Sequence, residues 1–227
     1  MFDTFDTIVA RFKYYVWSSY GRKIIDTLHI KYAYLYRGIV LDIGGRDRGR
    51  FKKPKDKVEK WIFADINEDY HPDVVLDVAN MPNIESNSID VISAINLFCN
   101  VERMEDGLKE SYRVLKPGGN ALISVPFMHA VAEDPVDFQR WGEKKWKKFL
   151  TEIGFTVEKI EIEGLFFTVM ADMTKDFIKS LPAILKYPGY FTFPILDFFV
   201  YLDTTSFVKD NPRRNKYHQG YFIIVRK

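Results

Sequence analysis

The sequence predicts an α/β fold, a mostly parallel sheet with helices packed on both faces. Three observations carry that expectation. Short β-rich apolar runs alternate with segments whose apolar residues recur at helical spacing, the pattern of successive βαβ units. The first apolar run, Gly38–Ile43, opens directly into Gly44-Gly45, as a buried strand does when it enters a tight turn. A length of 227 residues, 47% of them hydrophobic and 28% charged, suits one such domain and excludes a disordered chain.

The elements follow in order. Residues 1–36 read as a helical cap, with Ile8, Phe12, Tyr15 and Val16 at helical spacing and Arg11, Lys13, Arg22 and Lys23 between them. After Gly38–Ile43 comes a basic stretch, 46–60, with eight Lys or Arg against three acids and no apolar stripe. It reads as a solvated loop. Apolar runs at 61–65, 73–77 and 89–95 supply three further strands. Residues 103–116 form a helix with Leu108, Tyr112 and Leu115 on one face, Lys116 in its last turn, and Pro117-Gly118-Gly119 as its stop. Strands are expected at 121–125, 156–162 and 221–225, and a helix at 143–153 with Trp146, Phe149, Leu150 and Ile153 on one face. An aromatic-rich insertion, 165–215, interrupts the alternation before the last strand. The whole of 1–227 is expected to form one domain.

Bulk properties narrow the function classes. A formal charge of +2 is too small to point to nucleic acid. The single cysteine, Cys99, excludes an internal disulfide framework and fits a reducing, cytoplasmic compartment. No run of about 20 apolar residues suggests a transmembrane helix. The acidic start lacks the pattern of a secretion signal. No residue pattern points to a metal.

Chemistry enters at the strand ends. Asp42 and Gly44-Gly45 close the first strand, and Asp65 stands 23 residues after Asp42. Glycines there let backbone approach a ligand, and an acid at the end of the next strand accepts from ribose hydroxyls. By themselves these residues equally describe a plain turn. Further on come Asp77-Val-Ala-Asn-Met-Pro82, Ser88-Ile-Asp-Val-Ile92 and Arg113-Val-Leu-Lys-Pro-Gly-Gly119.

Taken together, in this order and spacing, these segments resemble the class I S-adenosylmethionine-dependent methyltransferases, particularly the methyltransferase type 11 subgroup. The resemblance covers about residues 38–164 and the final strand, and Arg113–Gly119 is its most specific piece. It implies a Rossmann-like, seven-stranded sheet whose last strand is antiparallel and lies between the fifth and sixth. It implies S-adenosyl-L-methionine as cofactor. Asp42, Gly44 and Gly45 would lie under its methionine part, Asp65 would hold the ribose, and Asp77 with Val78 would flank the adenine. Ala94, Ile95 and Asn96 would line the cofactor and face the acceptor. A bland reading of Asp77 stands beside this one: a turn former ahead of Asn80 and Pro82.

The sequence also departs from the subgroup. Arg46 replaces the second glycine of the motif, and Cys99-Asn100 stands where Glu-His is common. A later segment, Pro126 to Trp141, resembles a Pro-Phe…His-x-x-Pro-x-Asp-Phe-x-Arg-Trp stretch of some relatives, but Ala132 occupies the usual histidine position. His129, Asp137 and Arg140, with Asp134 beside them, are the candidate acceptor-binding and catalytic residues, His129 taking a proton. The competing structural reading has Asp137 capping the next helix and pairing with Arg140 while Trp141 packs in the core.

The expected function is methyl transfer to a small-molecule or glycan/lipid-precursor acceptor. The rivals are a degenerate methyltransferase fold acting as a binding or scaffold module, and a nicotinamide-dependent dehydrogenase. The dehydrogenase lacks its Gly-x-Gly-x-x-Gly motif here. The 165–207 stretch reads as a lid over the acceptor pocket, as peripheral membrane contact, or as core or a homodimer contact.

Overall fold

The computed structural model describes residues 5–45 and 51–227. Two helices open it, α1 (Phe5–Trp17) and α2 (Tyr20–Lys31). Ser19 starts α2: its hydroxyl accepts from the Arg22 backbone N–H at 3.0 Å. Strands β1 (Gly38–Ile43), β2 (Val58–Asp65), β3 (Val74–Val75) and β4 (Ile89–Ile95) follow. Then come α3 (Met104–Val114), β5 (Leu115–Pro126), α4 (Glu143–Glu152) and β6 (Thr156–Glu163). Four helices fill the insertion: α5 (Phe166–Ser180), α6 (Ala183–Gly189), α7 (Phe193–Leu202) and α8 (Ser206–Lys209). Strand β7 (Gly220–Arg226) ends the series.

The strands form one seven-stranded sheet in the order β3-β2-β1-β4-β5-β7-β6. All pairs are parallel except the two that β7 makes with β5 and β6. This is the predicted arrangement, antiparallel last strand included. The chain steps outward from β1 to β3 and then returns to β4, so a topological switch point lies between β1 and β4. Ligands of such sheets bind beyond the carboxyl ends of the strands at that point.

Alternation along the strands builds two cores. Leu41, Ile43, Ile92, Ile123 and Ile223 face α3 and α4, where Leu108, Trp146 and Leu150 are buried against them. Val40, Val91, Leu122, Phe222 and Ile224 face the other way, onto Leu28, Tyr32 and Tyr36 of α2 and the turn after it. A third cluster, Val16, Tyr20, Ala171, Ile178, Phe193 and Leu196, joins the first two helices to α5 and α7. Asp172 of α5 reinforces that joint by accepting from Tyr20 N at 2.6 Å and Gly21 N at 2.9 Å, the unsatisfied donors at the start of α2.

Several boundaries differ from expectation for physical reasons. The helix expected over 103–116 stops at Val114. Leu115 is fully buried and pairs with Ile89, so the backbone straightens there. Lys116 is therefore not in a helical turn; its ammonium lies 2.7 Å from Asp90. The strand expected at 73–77 shrinks to two residues, because Asp77 enters a turn. Strand β2 starts at Val58, inside the basic stretch, and the rest of that stretch after residue 50 carries no helix. The insertion docks on α1 and α2. No described helix is long and apolar enough to cross a membrane.

Candidate functional site

A cleft of about 580 Å³ opens at the carboxyl ends of β1, β2 and β4, at the switch point. Asp42, Gly44, Gly45, Asp65, Asp77, Val78 and Asn96 all line it. Ile95 lines it too, whereas Ala94 belongs to the core.

The floor is set by the first turn. Gly44 has φ +69°, a left-handed conformation that favours glycine, and its N–H donates to Ala64 O at 2.8 Å. At position 45 a Cβ would fall 2.0 Å from an Asp42 carboxylate oxygen, so no larger residue fits while Asp42 keeps its place. The Asp42 carboxylate is buried and accepts from the Trp61 indole N–H at 3.0 Å. Arg46, the departure from the glycine motif, lies outside the described residues.

The far wall combines ligand and turn chemistry. One Asp65 oxygen accepts from Asn67 N at 2.9 Å. Asp77 accepts from Ala79 N at 2.8 Å, and its other oxygen meets the Arg103 guanidinium at 3.2 Å. The turn-forming role of Asp77 is thus present in the same residue that faces the cleft. Asn96 has φ +52°. Its side-chain oxygen accepts from the Ser124 hydroxyl at 3.1 Å, leaving the amide nitrogen as its free donor group, and Ser124 lies 2.7 Å from Glu163. Burial pushes the Glu163 carboxyl up to about 8, so it is neutral at pH 7.

His129, Asp137 and Arg140 stand apart from the cleft lining, although Asp134, Pro135 and Phe138 belong to it. His129 is exposed. Arg140 pairs with Asp137 and donates to the carbonyls of Phe127 (2.8 Å), His129 (2.6 Å) and Ala130 (3.1 Å), stapling the loop after β5. Asp137 does not cap α4, whose preceding residue is Gly142. Trp141 is buried in the core.

The segment where Glu-His was expected has a holding role. Asn100 donates to Pro135 O at 3.0 Å and Val136 O at 2.9 Å, and Phe138 N donates to Cys99 O at 2.8 Å. These bonds fix the 134–138 stretch at the rim. Burial, helped by the Asp137 charge, pushes the Cys99 thiol up to about 11, which makes it a poor nucleophile.

Sequence reasoning missed part of the wall. Arg22 and His29 reach the cleft from α2, and Phe51, Lys53, Trp61 and Arg103 also line it. No residue of 165–215 is among its lining residues. His29 is 5% exposed, and neither ring nitrogen has a hydrogen-bond partner. Its ring sits among Phe51, Phe222 and Tyr36, with centroids at 4.5, 5.6 and 6.3 Å. Burial, then the Arg22 charge, lowers its pKa to about 4, so the imidazole is neutral at pH 7. Trp61 opened a predicted strand, and alternation could have placed it beside Asp42. Nothing in the spacing marks Arg22 or His29. Among the described residues no group of three or more His, Cys, Asp or Glu is placed to hold a metal.

Sheet order, switch-point cleft and glycine turn define a class I methyltransferase fold. Residues 41–123 match the family described as a methyltransferase domain. Solved structures agree on the fold. A SAM-dependent methyltransferase from Archaeoglobus fulgidus superposes with a TM-score of 0.57 at 17% identity, covering 96% of this chain and 99% of that one. A Bacillus halodurans protein assigned as a methyltransferase gives 0.54 at 20% identity, with 89% and 98% covered. A cyclase, SpnF, gives 0.58 at 16% identity, with 89% and 80% covered. No curated protein matches the sequence.

Proposed function

We propose that the chain transfers a methyl group from S-adenosyl-L-methionine to a small-molecule or glycan/lipid-precursor acceptor. One observation carries the reading. Seven residues assigned from sequence to a nucleoside-type cofactor, drawn from separate strand ends, line a single cleft. The residues present fit the group: the site at Gly45 is one that a Cβ would fill, and three carboxylates face a cationic, hydroxyl-bearing ligand.

Asp42 with Gly44 and Gly45 would hold the methionine part, Asp65 the ribose, and Asp77 with Val78 the adenine. When bound, the sulfonium supplies an electrophilic methyl group. The chain's own contribution is alignment and exclusion of water, and positioning alone supplies up to about 7–11 kcal/mol in ideal intramolecular systems. Phe51 and Trp61 form an apolar wall, and Asn96 lines the same cleft. His29 is neutral and its ring nitrogens are buried, so it shapes the cleft wall with Phe51 and does not present a lone pair. A cleft of about 580 Å³ is the size of a small-molecule site, and the cofactor would occupy part of it.

The test is calorimetric titration of the purified protein with S-adenosylmethionine and S-adenosylhomocysteine, repeated with Asp65→Ala. Micromolar affinity, lost in the variant, is expected. Absence of binding to the wild type at millimolar ligand would overturn the reading and leave a scaffold module in its place.

A further inference from the structure

We propose that the outer face of α5, α6 and α7 is a membrane-docking surface that seats among the headgroups of an anionic bilayer. The inference is independent of the reaction proposed above.

The face is apolar where a surface facing only water is polar. Helix α6 buries no side chain, yet it carries Ile184, Leu185 and Tyr187, with Ile184 82% exposed. Phe191, just before α7, is 84% exposed. Within α7, Phe193 and Leu196 turn into the third cluster, while Ile195, Phe198 and Tyr201 recur every three residues on the outer side. Met173 and Phe177, one turn apart on α5, are exposed as well. Two contacts make the pieces continuous. Gly189 at the end of α6 lies against Ile178 of α5, where a Cβ would come within 2.7 Å. Lys179 donates to Trp17 O at 3.0 Å, bringing the exposed Trp17 ring beside the end of α5. Contiguous apolar patches of this kind mark interaction sites.

Charge selects the occupant. From Met173 to Leu202 the charged residues are Lys175, Asp176, Lys179, Lys186 and Asp197; Lys175 is buried, and the exposed Asp176 pairs with Lys179 at 3.7 Å. Asp197 is drawn inward by the hydroxyls of Tyr15 and Tyr20, each at 2.6 Å. Lys186 therefore carries the outward charge that no acid of this face balances, and it is complementary to anionic headgroups. Aromatic rings mixed with lysines suit the headgroup depth. Helix α7, with 10 residues, is about 15 Å long, half of a bilayer core of about 30 Å, so the surface lies in the interface and does not span it.

The experiment is flotation of the full chain with phosphatidylcholine vesicles, and with vesicles in which about a third of the lipid is phosphatidylserine. Trp17 emission is followed in parallel, with Trp17→Phe as control. Expected are binding to the anionic vesicles, a blue shift carried by Trp17, and at least tenfold weaker partition for the double variant Ile184→Ser/Phe191→Ser. Both of these positions are exposed enough that the variant folds, which circular dichroism checks. Lys186→Glu should weaken partition to anionic vesicles only. Failure of the wild type to float with either vesicle overturns the proposal. So does partition unchanged in the double variant. A concentration-dependent dimer dispersed by the double variant, without vesicle binding, would assign the face to a second copy instead.

Discussion

Trp61 donates its indole N–H to the Asp42 carboxylate across 3.0 Å, tying β2 to β1 at the floor of the cleft. The bond fixes an anion where the proposed ligand carries positive charge. Trp61→Phe keeps the ring and removes the donor. Loss of a hydrogen bond to a buried charged group costs about 1.5–3 kcal/mol. Chemical denaturation should show a fall of that size, and calorimetry at least a fivefold loss of S-adenosylmethionine affinity. Unchanged affinity would mean that Asp42 does not face the ligand.

Asp77 does two things that one substitution separates. Asn at this position keeps the oxygen that accepts from Ala79 N but gives up the charge that faces Arg103. Asp77→Asn should therefore leave stability within about 1 kcal/mol, since the pair with Arg103 is exposed. Cofactor affinity should fall about tenfold if the carboxylate receives the adenine amino group. Arg103→Ala, by contrast, should change affinity less than threefold.

Glu163 predicts a pH dependence with a definite sign. Its folded pKa, about 8, lies above the ordinary 4.5, so between these values the folded state holds a proton that the unfolded state has lost. Stability is then greatest below pH 4.5, as far as this group is concerned, and falls as pH rises towards 8, by up to about 1.4 kcal/mol per unit. Glu163→Gln should abolish that slope. Denaturation curves collected from pH 5 to pH 9 would show it; parallel curves for wild type and variant would refute it. The Ser124 hydroxyl is shared between Glu163 (2.7 Å) and Asn96 (3.1 Å); ionised Glu163 holds that proton more strongly and draws it from Asn96, so turnover should also decline above pH 8.

The two histidines and Arg140 can be ranked. Arg140→Ala leaves Asp137 buried and unpaired, and should cost roughly 3 kcal/mol in thermal or chemical unfolding. His129→Ala, at an exposed site, should stay within about 0.5 kcal/mol and retain most turnover. His29→Phe removes a buried polar group without a partner, so stability should hold or rise by about 1 kcal/mol. A marked loss of stability in that variant would show that the imidazole is hydrogen-bonded after all.

The fold was legible because the strands that frame the cleft end in residue types with a backbone consequence: Gly44 after β1, Asp65 closing β2, Asn96 after β4. Such local signals fix where strands stop, and strand ends fix the cleft. The cofactor wall could be named for the same reason. The acceptor side could not. Arg22 and His29 come from the helix just before β1, turned towards the cleft by packing of Tyr32, Tyr36 and Phe222, and no spacing rule encodes that. The Pro126–Trp141 stretch misled in the opposite sense: its polar residues are spaced like a site, but Arg140 spends its donors on backbone carbonyls. The Lys-Pro-Gly-Gly helix stop failed at Leu115, where burial in the sheet outweighed helix propensity.

The pairing of β6 with β7 begins at Glu163 opposite Gly220. Residues 164–219 thus leave and rejoin the sheet at a single point, which makes them, topologically, the loop of an antiparallel hairpin. Enlarging such a loop adds little closure entropy, since the cost grows only with the logarithm of its length. The helical unit is in this sense a cassette: it is free to diverge in surface while the strands that carry it keep their register. Its hold on the rest of the molecule runs along the first two helices, through the third apolar cluster, the Asp197 bonds to Tyr15 and Tyr20, and Asp172 on the donors that begin α2, the helix that brings His29 to the cleft.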